Sequence, residues 1–202
     1  SKPEYTVTYG GEKIESDGTN VFTLPTGDKL TVTADASATV TNVSDTDEEN
    51  NTFTYELENE DNYSSVESIY GDLGITKKAV TITVANDSKV YGNDDPEFED
   101  ATLTGGVGEE LAGIDLTVER SNEDEEAGTY NDVLNIGKTE EELEGEYPNY
   151  EFEVVPGDFT ISKDANAIQI TSASGSWEYD GHAHSKPEYT VTYGGEKIES
   201  DG

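Results

Sequence analysis

The first eighteen residues of this chain, SKPEYTVTYGGEKIESDG, return without change as its last eighteen, Ser1–Gly18 recurring as Ser185–Gly202. Chance does not produce an identity of that length inside 202 residues, so both ends are the same segment and the chain covers one period of 184 residues plus an overlap. Repetition at a fixed spacing marks tandem architectures, in which each unit is a small module stacked on its neighbours. A tandem array is the simplest source of the identity.

Between the two copies the apolar residues alternate with polar ones. Tyr5, Val7 and Tyr9 are separated by Thr6 and Thr8; Leu30 and Val32 by Thr31, with Ala36, Ala38 and Val40 continuing the pattern. Phe53, Tyr55 and Leu57 do the same, as do Val80, Ile82 and Val84, and Phe159 and Ile161. Successive side chains of a strand point to opposite faces, so each run predicts a strand with one core face and one wet face. Threonine, valine, isoleucine and tyrosine suit such a half-buried pleat. Turn residues punctuate the runs at Gly10-Gly11, Ser16-Asp17-Gly18, Thr26-Gly27-Asp28, Gly92-Asn93-Asp94, Gly105-Gly106 and Pro156-Gly157-Asp158. Turns every eight to twelve residues or so between short strands predict an antiparallel sandwich or barrel. The best helical candidate, Thr139–Leu143, is short and runs into Gly145, so a loop is expected there.

The period divides into two modules with the same landmarks in the same order. One spans residues 79–164; the other is residues 1–78, which lack their opening strands, and residues 165–202 are the opening strands of its next copy. Each has an aromatic-Tyr turn (Lys89-Val90-Tyr91-Gly92; Trp177-Glu178-Tyr179-Asp180-Gly181), a late Asn-Tyr pair (Asn149-Tyr150; Asn62-Tyr63) and a final Gly-Asp strand running to lysine (Gly157-Asp158 to Lys163; Gly71-Asp72 to Lys77-Lys78). The fold class expected is therefore all-β: two related antiparallel Ig-like β-sandwich modules in tandem, joined by short linkers that limit swivelling.

Lys89-Val90-Tyr91-Gly92-Asn93-Asp94-Asp95-Pro96, Gly128-Thr129-Tyr130, Asn149-Tyr150 and Phe159-Thr160-Ile161-Ser162-Lys163, taken in order, resemble an MBG-type module, the mostly-β, Ig-like repeat of large bacterial surface proteins. The Trp-x-Tyr-Asp-Gly module is similar to its divergent relatives on Gram-positive cell surfaces. The resemblance implies a secreted, repeated, non-enzymatic spacer or adhesin domain at the cell wall. It supplies no ligand.

Composition agrees and excludes much. A net charge of −35, from 46 acids against 11 bases, repels nucleic acid and anionic lipid. There is no cysteine for a disulfide framework or thiolate chemistry. No run of eighteen apolar residues is present, so no membrane-spanning helix is expected. Leu24-Pro25-Thr26-Gly27 resembles a sortase signal but lacks the residue between proline and threonine, and a turn is expected instead.

No catalytic constellation emerges. The only histidines, His182 and His184, alternate with Asp180 on what would be one strand face, but zinc wants about four nitrogen or sulfur ligands and nothing completes the set. No calcium site is assigned either. The carboxylates that come nearest are Asp45, Asp47 and Glu49, which lack the glycine of a calcium loop, and Asp94 and Asp95 at a turn. A glycosidase-like pair needs one carboxyl in an apolar pocket, which no motif marks. An intramolecular isopeptide link needs a lysine, an Asn or Asp and an acid gathered in an apolar core; Lys77, Lys89 and Lys163 lie beside strands, where lysine is expected to be solvated. Trp177 is expected to plug the end of a sandwich.

Three roles follow. As a spacer, the modules would project a binding domain from the cell wall, with neighbouring repeat copies as the contacts. As a binding module, a Tyr-lined loop end would meet host glycan or protein. As a fibre, the tail of one chain would complete the head of the next by strand addition.

Overall fold

The computed structural model describes residues 5–200. Seventeen strands build six sheets among them. In chain order they are β1 Val7–Tyr9, β2 Glu12–Ile14, β3 Val21–Thr23, β4 Lys29–Ala34, β5 Asp47–Asn51, β6 Phe53–Leu57, β7 Gly71–Leu73, β8 Lys78–Thr83 and β9 Asp87–Val90. There follow β10 Thr102–Thr104, β11 Val118–Arg120, β12 Gly128–Ile136, β13 Tyr150–Val155, β14 Gly157–Ser162, β15 Ile168–Ser172, β16 Tyr189–Tyr193 and β17 Glu196–Ile198. One α-helix, α1, spans Glu140–Glu146. The architecture is mostly β, consistent with the Ig-like sandwich class.

The chain forms two compact units. The first holds the chain to Ile82 with Thr102–Ile114 and Lys138–Val155; the second holds Thr83–Ala101, Asp115–Gly137 and the chain from Pro156 onward. In the first, β3, β4 and β6 form an antiparallel sheet whose register sets Phe22 opposite Leu30, and Leu30 and Val32 opposite Leu57 and Tyr55. Opposed residues share a face, so these side chains build one apolar surface. The hairpin β1–β2 lays Tyr5, Val7 and Ile14 against it. The sheet β10-β8-β13 buries Val80, Ile82, Tyr150 and Phe152. In the second unit the sheet runs β11-β12-β14-β9 over a core of Val118, Leu134, Ile136, Phe159 and Ile161. A separate sheet, β15-β16-β17, belongs to the same unit.

Four expectations are corrected. The Thr139–Leu143 loop is the start of α1: the Thr139 side chain accepts from the Glu142 amide while the Glu142 carboxylate accepts from the Thr139 amide at 2.9 Å, a capping box. Its one buried side chain, Leu143, is fully covered, which is enough to dock a helix too short to show periodicity. The run Ala36–Val40 is not a strand. Asp35 ends β4 by turning the chain, its carboxylate accepting from the Ser37 amide at 2.8 Å and the Ser37 hydroxyl at 2.6 Å. Pairing is not wholly antiparallel, because β9 runs parallel to β14, Phe159 facing Asp87 and Ile161 facing Lys89. Nor does Trp177 close a core; it is 49% exposed and stacks on His184 with ring centroids 5.1 Å apart.

The two Gly-Asp landmarks do the same job in different sheets. Asp158 accepts from the amide of Asp132 at 3.0 Å, and Asp132 (φ 57°) sits in the β-bulge where β12 shifts register against β14. Asp72 accepts from the amide of Glu49 at 2.8 Å, and Glu49 (φ 54°) sits where β5 shifts register against β7. A positive φ is uncommon for glutamate and more easily adopted by aspartate, and at a bulge the residue's amide drops out of the ladder. The aspartate supplies the missing acceptor in both places.

Candidate functional site

Lys89 is the penultimate residue of β9, and Val90 leads into the turn Tyr91-Gly92, which Gly92 makes at φ 88°. Parallel pairing with β14 turns Lys89 inward beside Ile161, and the residue is only 8% exposed. A strand-end lysine was expected in water; here long-range partners hold it under cover. Its ammonium sits 2.7 Å from Asp95 Oδ1 and also pairs with Glu125. Arg120, from β11, completes a square, with Nε 2.9 Å from Asp95 Oδ2 and a terminal nitrogen 2.5 Å from Glu125 Oε1. The guanidinium lies over the ring of Phe159, 5.0 Å from its centroid.

Two cations and two carboxylates cancel, which is what makes a covered ionic group tolerable. The hydrogen bond the Lys89 ammonium donates to Asp95, then that to Glu125, pushes it above its ordinary value. Lys89, then Arg120, holds the Glu125 carboxyl below the usual carboxylate range. Amide formation between an amine and a carboxyl needs the amine neutral, and this square keeps it charged. The arrangement is a salt-bridged clamp tying the Gly92–Pro96 turn and the Glu125 loop to the sheet.

Lys89→Gln is expected to lower the thermal midpoint at pH 7 by more than Lys197→Gln, whose ion pair with Glu199 is exposed on both sides. The sign with pH follows from the direction of each shift. The depressed Glu125 contributes stability that is present above 4.5 and is lost as pH falls through its lower folded value; the raised Lys89 contributes below 10.5 and loses it only as pH rises through its higher folded value. The gap between wild type and Lys89→Gln should therefore close in acid, as thermal melts between about pH 7 and pH 3 would show.

The other sequence candidates do not converge. Asp45 is spent on a one-turn cap, accepting from the amides of Thr41 at 2.9 Å and Asn42 at 2.8 Å. The amide of Asn42, then that of Thr41, holds its carboxyl low. Asp47 and Glu49 belong to the bulged strand β5. Asp94 is exposed, while Asp95 faces Lys89 and Arg120. Asp180 and His184 do meet, at 2.9 Å, but across a bend and not on a strand face. Among the described residues no three His, Asp or Glu side chains gather as a metal would need. No helix among them is long and apolar enough to cross a membrane.

Lys77 and Lys163 part company. Lys77 Nζ reaches Glu144 at 2.6 Å, while Lys163 is exposed. The Lys77-Lys78 junction is further held by the Lys78 amide donating to the Asn149 carbonyl at 3.0 Å. The Asn149 side chain accepts from the Val43 amide and donates to Asn42, each at 2.9 Å. Sequence reading singled out Asn149-Tyr150 as a landmark without seeing this bridge.

Residues 80–160 match the family model described as MBG domain (YGX type). The matched stretch holds the whole clamp and the Tyr91-Gly92 turn. Residues 80–160 are thus similar to a non-catalytic, adhesin-associated module. No curated protein and no solved structure matches the chain.

Proposed function

We propose, with residues 80–160 as an MBG domain for premise, that this chain is a stretch of the stalk of an extracellular bacterial surface adhesin, a non-catalytic spacer that carries a binding domain away from the cell wall. The exact return of eighteen residues after 184 carries the reading. In it, residues 1–78 and 79–164 are two related Ig-like sandwich modules that alternate along the stalk. The paired aspartate-clamped bulges, Asp158 on Asp132 and Asp72 on Glu49, support that kinship beyond the letters of the sequence.

A spacer must resist bending, and the junction chemistry favours that. The two-lysine connector is pinned by Glu144 and by the Asn149 carbonyl, while the Asn149 side chain ties back to residues 42 and 43. Such contacts would limit swivel at the connector. Net charge of −35 keeps neighbouring stalks apart within roughly a Debye length, about 8 Å at physiological salt.

Small-angle scattering from a chain of several tandem copies tests the proposal. The maximum dimension should grow in proportion to the number of copies, with a cross-section that stays constant. A dimension that grows only as the cube root of mass would mean a compact body and would end the spacer reading.

A further inference from the structure

Strand β13 lies at the end of its sheet. The order β10-β8-β13 puts β8 on one side of it, and among the described residues no strand lies on the other. Backbone amides along a strand point alternately to its two sides. Those of Tyr150, Phe152 and Val154 share one side, and each has an acceptor that belongs to no strand. Tyr150 donates to the Tyr147 carbonyl at 3.0 Å. Phe152 donates to Glu144 Oε1 at 3.4 Å, and Val154 to Glu140 Oε1 at 2.8 Å. All three acceptors lie on α1 or on the residue that ends it.

The spacings of helix and strand match. Four residues of helix rise about 6 Å, and two residues of strand about 6.7 Å. Glu140 and Glu144 are four apart on one helix face, while Val154 and Phe152 are two apart on one strand edge. With helix and strand running in opposite senses, carboxylate meets amide twice. Leu143, fully buried, seats the helix. The second oxygen of Glu144 is held at 2.6 Å by Lys77, which leaves Oε1 to the strand.

We infer that α1 is a surrogate strand: its side-chain oxygens stand where the carbonyls of a neighbouring strand would, and they close the β13 edge against a second copy of this chain. The pairing it excludes is two-fold, β13 against β13. With the amides of residues 150, 152 and 154 turned to the partner, Phe152 lies opposite Phe152 and Tyr150 opposite Val154, so the apolar faces of the two sheets run on without a break. On the other face Glu151 meets Glu153, a like-charge pair that salt screens. An uncovered edge of this kind joins chains. The inference does not rest on the spacer role.

Hydrogen exchange on the full chain tests the surrogate. Glu140→Ala with Glu144→Ala removes both acceptors and puts the strongest helix former at each position. Exchange at the Phe152 and Val154 amides is expected to quicken about tenfold or more, while Tyr150, whose acceptor is backbone, changes less. Glu140→Gln with Glu144→Gln keeps an acceptor oxygen at each place and should exchange like the wild type. Glu140→Ala alone, which frees only Val154, serves if the double variant does not fold.

Cross-linking tests the partner, since the chain has no cysteine of its own. Glu151→Cys and Glu153→Cys, both at exposed positions, are made in separate chains. They are mixed in a glutathione redox buffer with about 1 M salt, where the Debye length is about 3 Å. In the double-alanine background the heterodimer should form at about ten times the yield of the Glu151→Cys homodimer, whose Cα atoms would stand about 8 Å apart, beyond disulfide reach. In the wild-type background neither should form. Unchanged exchange in the double-alanine variant, equally fast exchange in the double-glutamine variant, or equal cross-linking in both backgrounds would each overturn the surrogate. Quickened exchange without the 151–153 link would overturn the second copy as the excluded partner.

Discussion

Gly157→Ala is expected to destabilise the chain severely, while Gly71→Ala at the matching landmark should change little. Both glycines open a Gly-Asp strand, and from sequence they are equivalent. Their surroundings are not. A Cβ on Gly157 would lie 3.0 Å from the Ala85 carbonyl carbon and 3.2 Å from Val84 Cγ1, and closer still to the Ala85 oxygen. Two of those atoms are backbone beside β9, so relief requires moving a strand and not rotating a side chain. That movement would pull apart the parallel pairing of β9 with β14 and the Asp158 amide's bond to Asn86 at 2.7 Å. A Cβ on Gly71 meets nothing closer than Asn51 Nδ2 at 3.9 Å, which is ordinary contact. Overpacking with backbone shifts costs about 1–3 kcal/mol or more, against a few tenths where there is space. Urea unfolding of the two variants decides the matter. Equal losses would mean that the close approach of β14 to Ala85 is wrong.

That contrast shows what a sequence displays and what it withholds. The alternating runs became β1, β4, β6, β8 and β14, because period two follows from the geometry of a single strand and needs no partner. The turn at Leu24–Gly27 formed as expected, with the Gly27 amide donating to the Leu24 carbonyl at 2.8 Å. Helix α1 escaped a search for periodicity since it buries one side chain only, yet Thr139-x-x-Glu142 is a capping-box signature that was present in the letters. The run Ala36–Val40 misled for the opposite reason: alternation was there, but the residues are small and Asp35 offered the backbone a turn. Of the clamp, Lys89 and Asp95 were both noticed, for separate reasons. Arg120 and Glu125 were not, because charge runs look alike until the β9–β14 pairing brings four of them together. The bulges at Glu49 and Asp132 were not legible, since glutamate does not announce a positive φ and aspartate, which adopts one readily, is too common in this chain to mark a bulge.

Phe159→Ala should be the most damaging truncation in the second unit. Phe159 is wholly buried in the middle of β14, opposite Tyr130 on β12 and Asp87 on β9. Phe98 meets its ring edge-on at a centroid distance of 5.8 Å, and the Arg120 guanidinium lies 5.0 Å from its centroid. Removing a buried phenylalanine costs about 3–5 kcal/mol through lost transfer energy and the cavity left behind. Marginal domains hold only about 5–15 kcal/mol in total, so the variant should sit near its unfolding threshold at 37 °C. The damage should also reach the clamp. Without the ring, Arg120 loses the surface that orients it, and water gains a path to Lys89 and Asp95. The Lys89→Gln penalty measured in the Phe159→Ala background should then be smaller than in the wild type, a coupling that a double-mutant cycle resolves. Additive losses would mean that the ring and the ion square stabilise the sheet independently. A Phe159→Ala loss below about 1 kcal/mol, typical of a surface change, would remove Phe159 from the core altogether.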